Sequence, residues 1–378
     1  MCLNLMNNNS ETVGIYVHIP FCVRKCAYCD FLSFSCDKEK QSNYVNALCK
    51  QIDATDELRP VASVYFGGGT PSIIKPELIG TIMDRLKANF MILPQAEITI
   101  EINPHSASLK ALKLYRSYGF NRLSMGLQSA NDEELKNLGR PHSFDDFLKT
   151  FNDAKMAGFD NINVDIMTAL PCQSEEMLNH TIDEVLKLKP RHISAYSLIL
   201  EEGTPFYEKY KGEPVMDSDD ERRLYYLCRN RLIDAGYEHY EISNFALPGY
   251  FSRHNTSYWK RVDYYGFGLG ASSLIFGHRI KNESDFDRYL INPLGKDEDI
   301  ILSKEDMMEE YMFLGLRMIE GIETEEFERI FSVDFESIYK EAVKGLLKDG
   351  LIESSGGRIW LTDKGIDYGN YVFSSFLL

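Results

Sequence analysis

Between Thr12 and about Ala246 the chain alternates, unit after unit, between a short β-branched apolar run and an amphipathic stretch. The apolar runs predict strands over residues 15–19, 61–66, 97–102, 121–127, 162–167 and 192–200. The amphipathic stretches predict helices over 39–55, 76–89, 108–118, 144–157, 174–188 and 219–235. One helix between successive strands means parallel βαβ units. Right-handed crossovers then leave two economical closures, a barrel (full or partial) or an open doubly wound sheet. Six units fall short of eight, so the expected fold is α/β, a partial (β/α)6 barrel over 13–246, with the doubly wound sheet second. Either closure puts the site beyond the carboxyl ends of the strands.

The rhythm then changes. Residues 247–300 are rich in Tyr, Gly and Asn and read as irregular loops and short strands connecting two domains. Residues 301–378 read as helices over 304–319, 324–330 and 335–348, then a hairpin turning at Gly356-Gly357, a winged-helix-like α+β module. This module holds 8 Lys and Arg against 16 Asp and Glu, which does not suit DNA and offers a surface to a basic protein partner. The whole chain carries a net charge of −16, which argues against nucleic acid and anionic lipid surfaces. No apolar run approaches the roughly 18 residues of a membrane span. The tail, residues 1–12, lacks the basic start and apolar stretch of a secretion signal, so a cytoplasmic location is expected.

Eight cysteines without a secretion signal do not read as a disulfide scaffold. Three of them, Cys22, Cys26 and Cys29, follow directly after the first predicted strand. Thiolates are soft ligands that favour iron–sulfur clusters, zinc or copper(I). Three of them can hold three irons of a [4Fe–4S] cube and leave the fourth open, as a reactive site requires. Unrelated buried cysteines, or a zinc site completed by His18, are the alternatives. Cys36, Cys49, Cys172 and Cys228 read as small packing residues.

The Cys-x3-Cys-x2-Cys spacing, with Tyr28 before the third cysteine, resembles the radical S-adenosylmethionine (SAM) superfamily. The resemblance implies a [4Fe–4S] cluster whose open iron is chelated by SAM, with the radical chemistry carried by the cofactor. Tyr16-Val-His-Ile-Pro-Phe-Cys22, Phe66-Gly-Gly-Gly-Thr-Pro-Ser72, Glu101-Ile-Asn-Pro104, Gly126-Leu-Gln-Ser129 and Asn163-Val-Asp165 with Leu170-Pro171 resemble the oxygen-independent coproporphyrinogen III oxidase family, over almost the whole chain. By that resemblance Gly68, Gly69 and Thr70 meet the SAM amino group, Glu101 the ribose hydroxyls or the amino group, and Tyr16 and Tyr28 the SAM at the cluster. Gln128, Arg140 and Asp165 border a second SAM position. Taken singly, the glycines are also a strand-to-helix turn, and Glu101 or Asp165 a helix N-cap.

This chain departs from the oxidases in ways that bear on the reaction. Phe31 stands where they carry a fourth cysteine, and only 21 residues precede Cys22. Ala169 and Cys172 replace glycines and are expected to intrude on the second SAM position. His254-Asn255-Thr-Ser-Tyr258-Trp259 matches the HNxxYW signature of the HemW-type heme chaperones, a sister branch. An imidazole can ligate heme iron, so His254 is its candidate ligand, while Tyr258 and Trp259 offer flat apolar faces. The blander reading makes these core aromatics and a hydrogen-bonded loop histidine. Gly266-Phe-Gly-Leu-Gly270 lacks the acidic partner of a dinucleotide fingerprint and reads as a glycine-lined passage near the site. The resemblance implies a chaperone that binds heme, a cluster and SAM. It would pass heme to an acceptor apo-hemoprotein, plausibly respiratory and at the inner membrane face, with a reductase or flavodoxin-type electron donor. Coproporphyrinogen III oxidation is the enzymatic alternative, and action on another tetrapyrrole the third.

Overall fold

Along the predicted strands apolar residues alternate with polar ones, and a pleated strand sends the two sets to opposite faces. Residues 11–35 and 37–378 are described by the structure, a computed structural model. Val64 and Phe66, Ile98 and Ile100, Leu123 and Met125, Ile162 and Val164 all join the main apolar core. Their neighbours Tyr65, Glu101, Arg122, Ser124, Asn163 and Asp165 line a cavity on the other face.

Six strands run parallel in chain order: β1 (Val13–Ile19), β2 (Val61–Gly68), β3 (Ile92–Ile102), β4 (Arg122–Gln128), β5 (Asn161–Thr168) and β6 (His192–Ser197). The helices between them pack on the apolar face. The Pro76–Asn89 helix, for example, fully buries Ile79, Ile82, Met83 and Leu86, each contributing about 1.5–3 kcal/mol of transfer energy. Ser143 caps the Phe144–Met156 helix in a capping box with Asp146. Short helices at Asp132–Asn137 and Pro205–Tyr210 were not foreseen from the apolar pattern.

The expectation for residues 247–300 needs correction. They are not an irregular connector but part of the same sheet. On one side of it the hairpin β7 (Glu238–Glu241) and β8 (Asn244–Ala246) lies antiparallel to β6. On the other, β9 (Tyr264–Phe267) pairs in parallel with β1, a seventh parallel strand out of chain order. Antiparallel β10 (Ser272–Ile275), β11 (His278–Asn282) and β12 (Lys296–Ile301) complete twelve strands. The 254–259 segment is not a loop either. It forms the Arg253–Trp259 helix, capped by Ser252.

Gly266 and Gly268 are packing glycines and do not line the cavity. A Cβ on Gly266 would stand 2.0 Å from the Ser272 carbonyl oxygen, and one on Gly268 2.4 Å from the Tyr44 hydroxyl. The expected glycine-lined passage is therefore absent from that stretch.

The last 78 residues form three helices, Lys304–Gly315, Thr324–Phe331 and Phe335–Lys348, with a three-stranded sheet and two short terminal helices. The sheet orders β13 (Ile322–Glu323), β15 (Arg358–Leu361) and β14 (Ile352–Ser355). Gly356 and Gly357 both have positive φ, 58° and 77°, as the tight hairpin turn requires. The module has its own core around Phe327, Tyr339 and Leu346, which also takes in Leu274 of β10. Buried Glu310 ties it to the sheet, accepting from Arg261 at 2.7 Å and Arg279 at 2.6 Å.

Candidate functional site

Side chains along the inner face of β2 to β6, together with the cysteine loop, line one cavity of about 630 Å³. Cys22, Cys26 and Cys29 all line it. Gly69 explains how the loop reaches the strand ends. A Cβ there would lie 2.6 Å from the Phe21 carbonyl oxygen and 3.0 Å from Cys22 Sγ. Its N–H donates to Ile19 O at 2.9 Å, and Thr70 N–H to Phe21 O at 2.7 Å, so this turn clamps the loop to β1. Thr70 Oγ1 is 3.6 Å from Cys22 Sγ, and the Arg140 guanidinium 3.7 Å from Cys26 Sγ. Burial pushes the Cys29 thiol up to about 11. A nearby cationic group would reverse that.

These observations suit an iron–sulfur cluster. Three soft donors rim one cavity with a cationic side chain beside them. Among the described residues no three His, Cys, Asp or Glu side chains stand closely enough for a single ion. A zinc site completed by His18 also lacks its fourth ligand. His18 Nδ1 pairs with the Tyr16 hydroxyl at 3.0 Å and Nε2 with the Leu32 carbonyl at 2.9 Å. Phe31 lies at the cavity mouth, 62% exposed.

Gly68, Gly69, Thr70, Tyr28, Glu101, Gln128, Arg140 and Asp165 are brought together around this cavity. Glu101 accepts from the Tyr65 hydroxyl at 2.7 Å. Burial pushes its carboxyl up to about 7, and the Tyr65 hydrogen bond pulls back. Burial likewise raises Asp165, which accepts from Asn163 Nδ2 at 2.7 Å. Arg140 donates to Asn103 Oδ1 at 2.8 Å and Gly126 O at 2.6 Å, and its Nε is buried without a partner among the described residues. Gln128 sits at φ 76°, with Oε1 accepting from the Tyr196 hydroxyl at 3.0 Å. Its left-handed backbone follows a register shift at the end of β4.

Tyr16 departs from expectation. It does not line the cavity but lies behind Tyr65, ring to ring at 6.3 Å, with its hydroxyl held by His18. Ala169 and Cys172 do not intrude on the cavity. Both take the left-handed backbone that favours glycine, φ 55° and 63°, and neither lines the cavity. Cys172 is exposed, not packed, whereas Cys49 and Cys228 are buried. Cys36 and the tail up to residue 10 lie outside the described residues.

The heme segment is divided by helical geometry. His254 and Tyr258, four apart, share one face, and Asn255 and Trp259 share the next. His254 is 1% exposed. Its Nδ1 pairs with Ser63 Oγ at 2.9 Å and its Nε2 with the Tyr258 hydroxyl at 2.8 Å. Its ring stacks on Tyr65 at 5.0 Å and 18°. Burial lowers the imidazole to about 3, so it stays neutral. An iron ligand needs a free nitrogen facing a cavity, and in this arrangement His254 has none. Asn255 lines the central cavity. Trp259, under the Arg317 guanidinium at 4.3 Å, instead lines a second cavity of about 570 Å³ against the C-terminal module.

Of the polar inner wall the motifs included Asn163 and missed the rest. Tyr65, Arg122, Asn163 and Tyr196 line the cavity, and buried His192 bridges Asn163 (2.6 Å) and Tyr240 (2.8 Å) behind it. The available signal was period-two polarity inside apolar strands, such as Arg122-x-Ser124 and Asn163-x-Asp165.

Residues 16–185 match the radical SAM superfamily and residues 302–368 the HemN C-terminal domain. Heme chaperone HemW from Lactococcus lactis subsp. lactis (strain IL1403) is 37% identical over 367 residues, covering 96% of this chain and 97% of that protein. Heme chaperone HemW from Bacillus subtilis (strain 168) is 35% identical over 382 residues, covering 96% and 98%. Among solved structures, coproporphyrinogen III oxidase (HemN) from Escherichia coli, a radical SAM enzyme, matches with a TM-score of 0.84 at 24% identity, covering 97% of this chain and 90% of its own. That last likeness is one of fold alone. No helix among the described residues is long and apolar enough to cross a membrane. With relatives this similar over nearly its full length, the chain belongs to the HemW heme chaperone family of the radical SAM superfamily.

Proposed function

We propose that the protein binds heme together with a [4Fe–4S] cluster and SAM, and hands the heme to an acceptor hemoprotein. The observation that carries this reading is the gathering of three thiols and a polar, charged strand-end wall around one cavity. The near full-length relatives named heme chaperones support the cargo. Cys22, Cys26 and Cys29 would hold three irons. Gly68, Gly69 and Thr70 would meet the SAM amino group, and Glu101 its ribose hydroxyls or amino group. Tyr28 closes the near wall, while Gln128, Arg140 and Asp165 border a second SAM position. When bound, cluster and SAM supply one-electron chemistry.

What this chain contributes is a polar, charged wall. Arg140 is held by Asn103 and the Gly126 carbonyl and keeps a positive charge beside the thiols. Glu101 is oriented by Tyr65. Heme would meet the helix through Asn255 or Trp259, which face cavities. For His254 to ligate iron one ring nitrogen must first leave Ser63 or Tyr258, a hydrogen bond worth about 0.5–1.5 kcal/mol, while the other nitrogen keeps its partner. A reductase or flavodoxin-type donor and a respiratory acceptor remain part of the proposal.

The test is a hemin titration followed by the Soret band. Saturation near one heme per chain is expected, with weaker binding in His254→Ala. No Soret shift in the wild type would end the heme reading. Anaerobic protein with cluster, SAM, reductant and coproporphyrinogen III should yield no protoporphyrinogen, and robust turnover would favour the oxidase.

A further inference from the structure

The helix that carries the 254–259 segment touches the cofactor cavity by three routes. Asn255 lines the cavity directly. The backbone N–H groups of Arg253 and His254 donate to Glu97 at 3.2 and 3.1 Å, and Glu97 stands on β3, the strand that also carries Glu101. The third route runs through side chains. The His254 ring stacks on the Tyr65 ring, and the Tyr65 hydroxyl donates to Glu101 Oε1. Tyr16 backs Tyr65 from β1.

Tyr65 therefore has one face on the helix and its polar end on the carboxylate that meets SAM in the reading above. Its ring stacks on His254 at 5.0 Å and has Tyr16 as a second ring neighbour at 6.3 Å. A displacement of His254, such as the one needed to free a ring nitrogen, removes the ring stacked nearest to Tyr65. We propose that Tyr65 is a positioning residue that couples the Arg253–Trp259 helix to Glu101, so that a ligand engaging the helix and SAM in the cavity change each other's affinity. This rests on the assignment of Glu101 to SAM and of the helix to heme. By linkage the two changes are equal and reciprocal.

The experiment is equilibrium binding of SAM to the anaerobic, cluster-reconstituted protein, with variants chosen to keep the fold. Tyr65→Phe keeps the stacked ring and loses only the hydroxyl. His254→Gln keeps a polar group toward Ser63 or Tyr258. Thermal melts of both verify folding. Tyr65→Phe should weaken SAM binding by about tenfold, the size of one lost hydrogen bond to a charged group. It should also move the pH of half-maximal SAM affinity upward. Glu101 faces Tyr65 and Tyr16, Asp165, Arg122, Tyr258 and the Gly68 N–H, and of these Tyr65 is the donor removed. A merely structural role for Tyr65 would leave that pH unchanged.

His254→Gln should weaken SAM binding several-fold in the wild-type background and have no further effect in Tyr65→Phe. Equal effects in both backgrounds, or none in either, overturn the coupling. Hemin should shift the SAM affinity of the wild type and not that of Tyr65→Phe, while the Soret band reports that hemin binds both. If the wild type binds no hemin, the heme assignment falls, and the variant cycle, which contains no heme, still decides the coupling.

Discussion

Glu97 and Arg122 face each other at 4.0 Å on neighbouring strands, 6% and 1% exposed. Glu97 also receives the first N–H groups of the Arg253–Trp259 helix, so one buried carboxylate joins the barrel wall to that helix. An anion at a helix N-terminus is stabilising, and here it also compensates a buried guanidinium. Glu97→Ala strands Arg122 and undocks the helix start. The expected loss is about 3–5 kcal/mol of unfolding free energy. Denaturant unfolding that shifts by less than about 1 kcal/mol would contradict this role.

The cysteine loop gives a second prediction. Gly69→Ala places a Cβ against backbone, the Phe21 carbonyl, as well as Cys22 Sγ, and neither Phe21 nor its strand can yield cheaply. The variant should fold but take up less iron on anaerobic reconstitution. Cys26→Ala should abolish the broad visible absorbance entirely, while Cys172→Ala, an exposed residue outside the cavity, should keep it. Iron and sulfide counted per chain in the three variants check the ranking.

Glu101 makes stability depend on pH. Its folded pKa of about 7 lies above its ordinary value of 4.5, so the folded state holds the proton more tightly than the unfolded one. Its contribution is fully present below about pH 4.5 and is lost as pH rises through about 7, at about 1.4 kcal/mol per unit. The buried, neutral His254 acts in the opposite direction below pH 6.5. The difference between wild type and Glu101→Gln isolates the carboxylate. The variant should lose the decline between pH 5 and 7 in cofactor-free protein, and equal slopes would refute the raised pKa.

Glu310 serves two guanidiniums at the joint between barrel and C-terminal module. Glu310→Ala leaves Arg261, only 4% exposed, without its carboxylate. The cost should be about 3–5 kcal/mol. Limited proteolysis should then cut first between the module and β12. Unchanged protease resistance would mean that the apolar contacts around Leu274 suffice.

Much of the site was written locally. Cys22, Cys26 and Cys29 follow β1 and the glycine turn ends β2, so the expected pairing of successive strands placed them at one rim. Glu101 and Gln128 follow the same logic, because a parallel strand delivers its last residues to one rim whatever its neighbours are, and Asp165, further back in β5, faces the same side by alternation. Residues whose role depends on distant partners were not legible. Tyr65 reads as one more apolar strand residue until Glu101 and His254 stand on either side of it. Tyr16 fits a cofactor motif, and yet its hydroxyl is taken by His18.

The sequence by itself determined the order of the six parallel strands and the helices between them, the clustering of three cysteines after the first strand and the acidic C-terminal module. Hydrophobic period and ligand spacing are properties of neighbouring residues, and they survive without a fold. Only the tertiary structure decided that residues 264–301 close onto β1 and that the 254–259 segment is a helix divided between two cavities. It also decided that His254 spends both nitrogens inside the protein. Which polar atoms are free depends on pairings across about 190 residues of chain, as between Ser63 and His254. No local pattern carries that information.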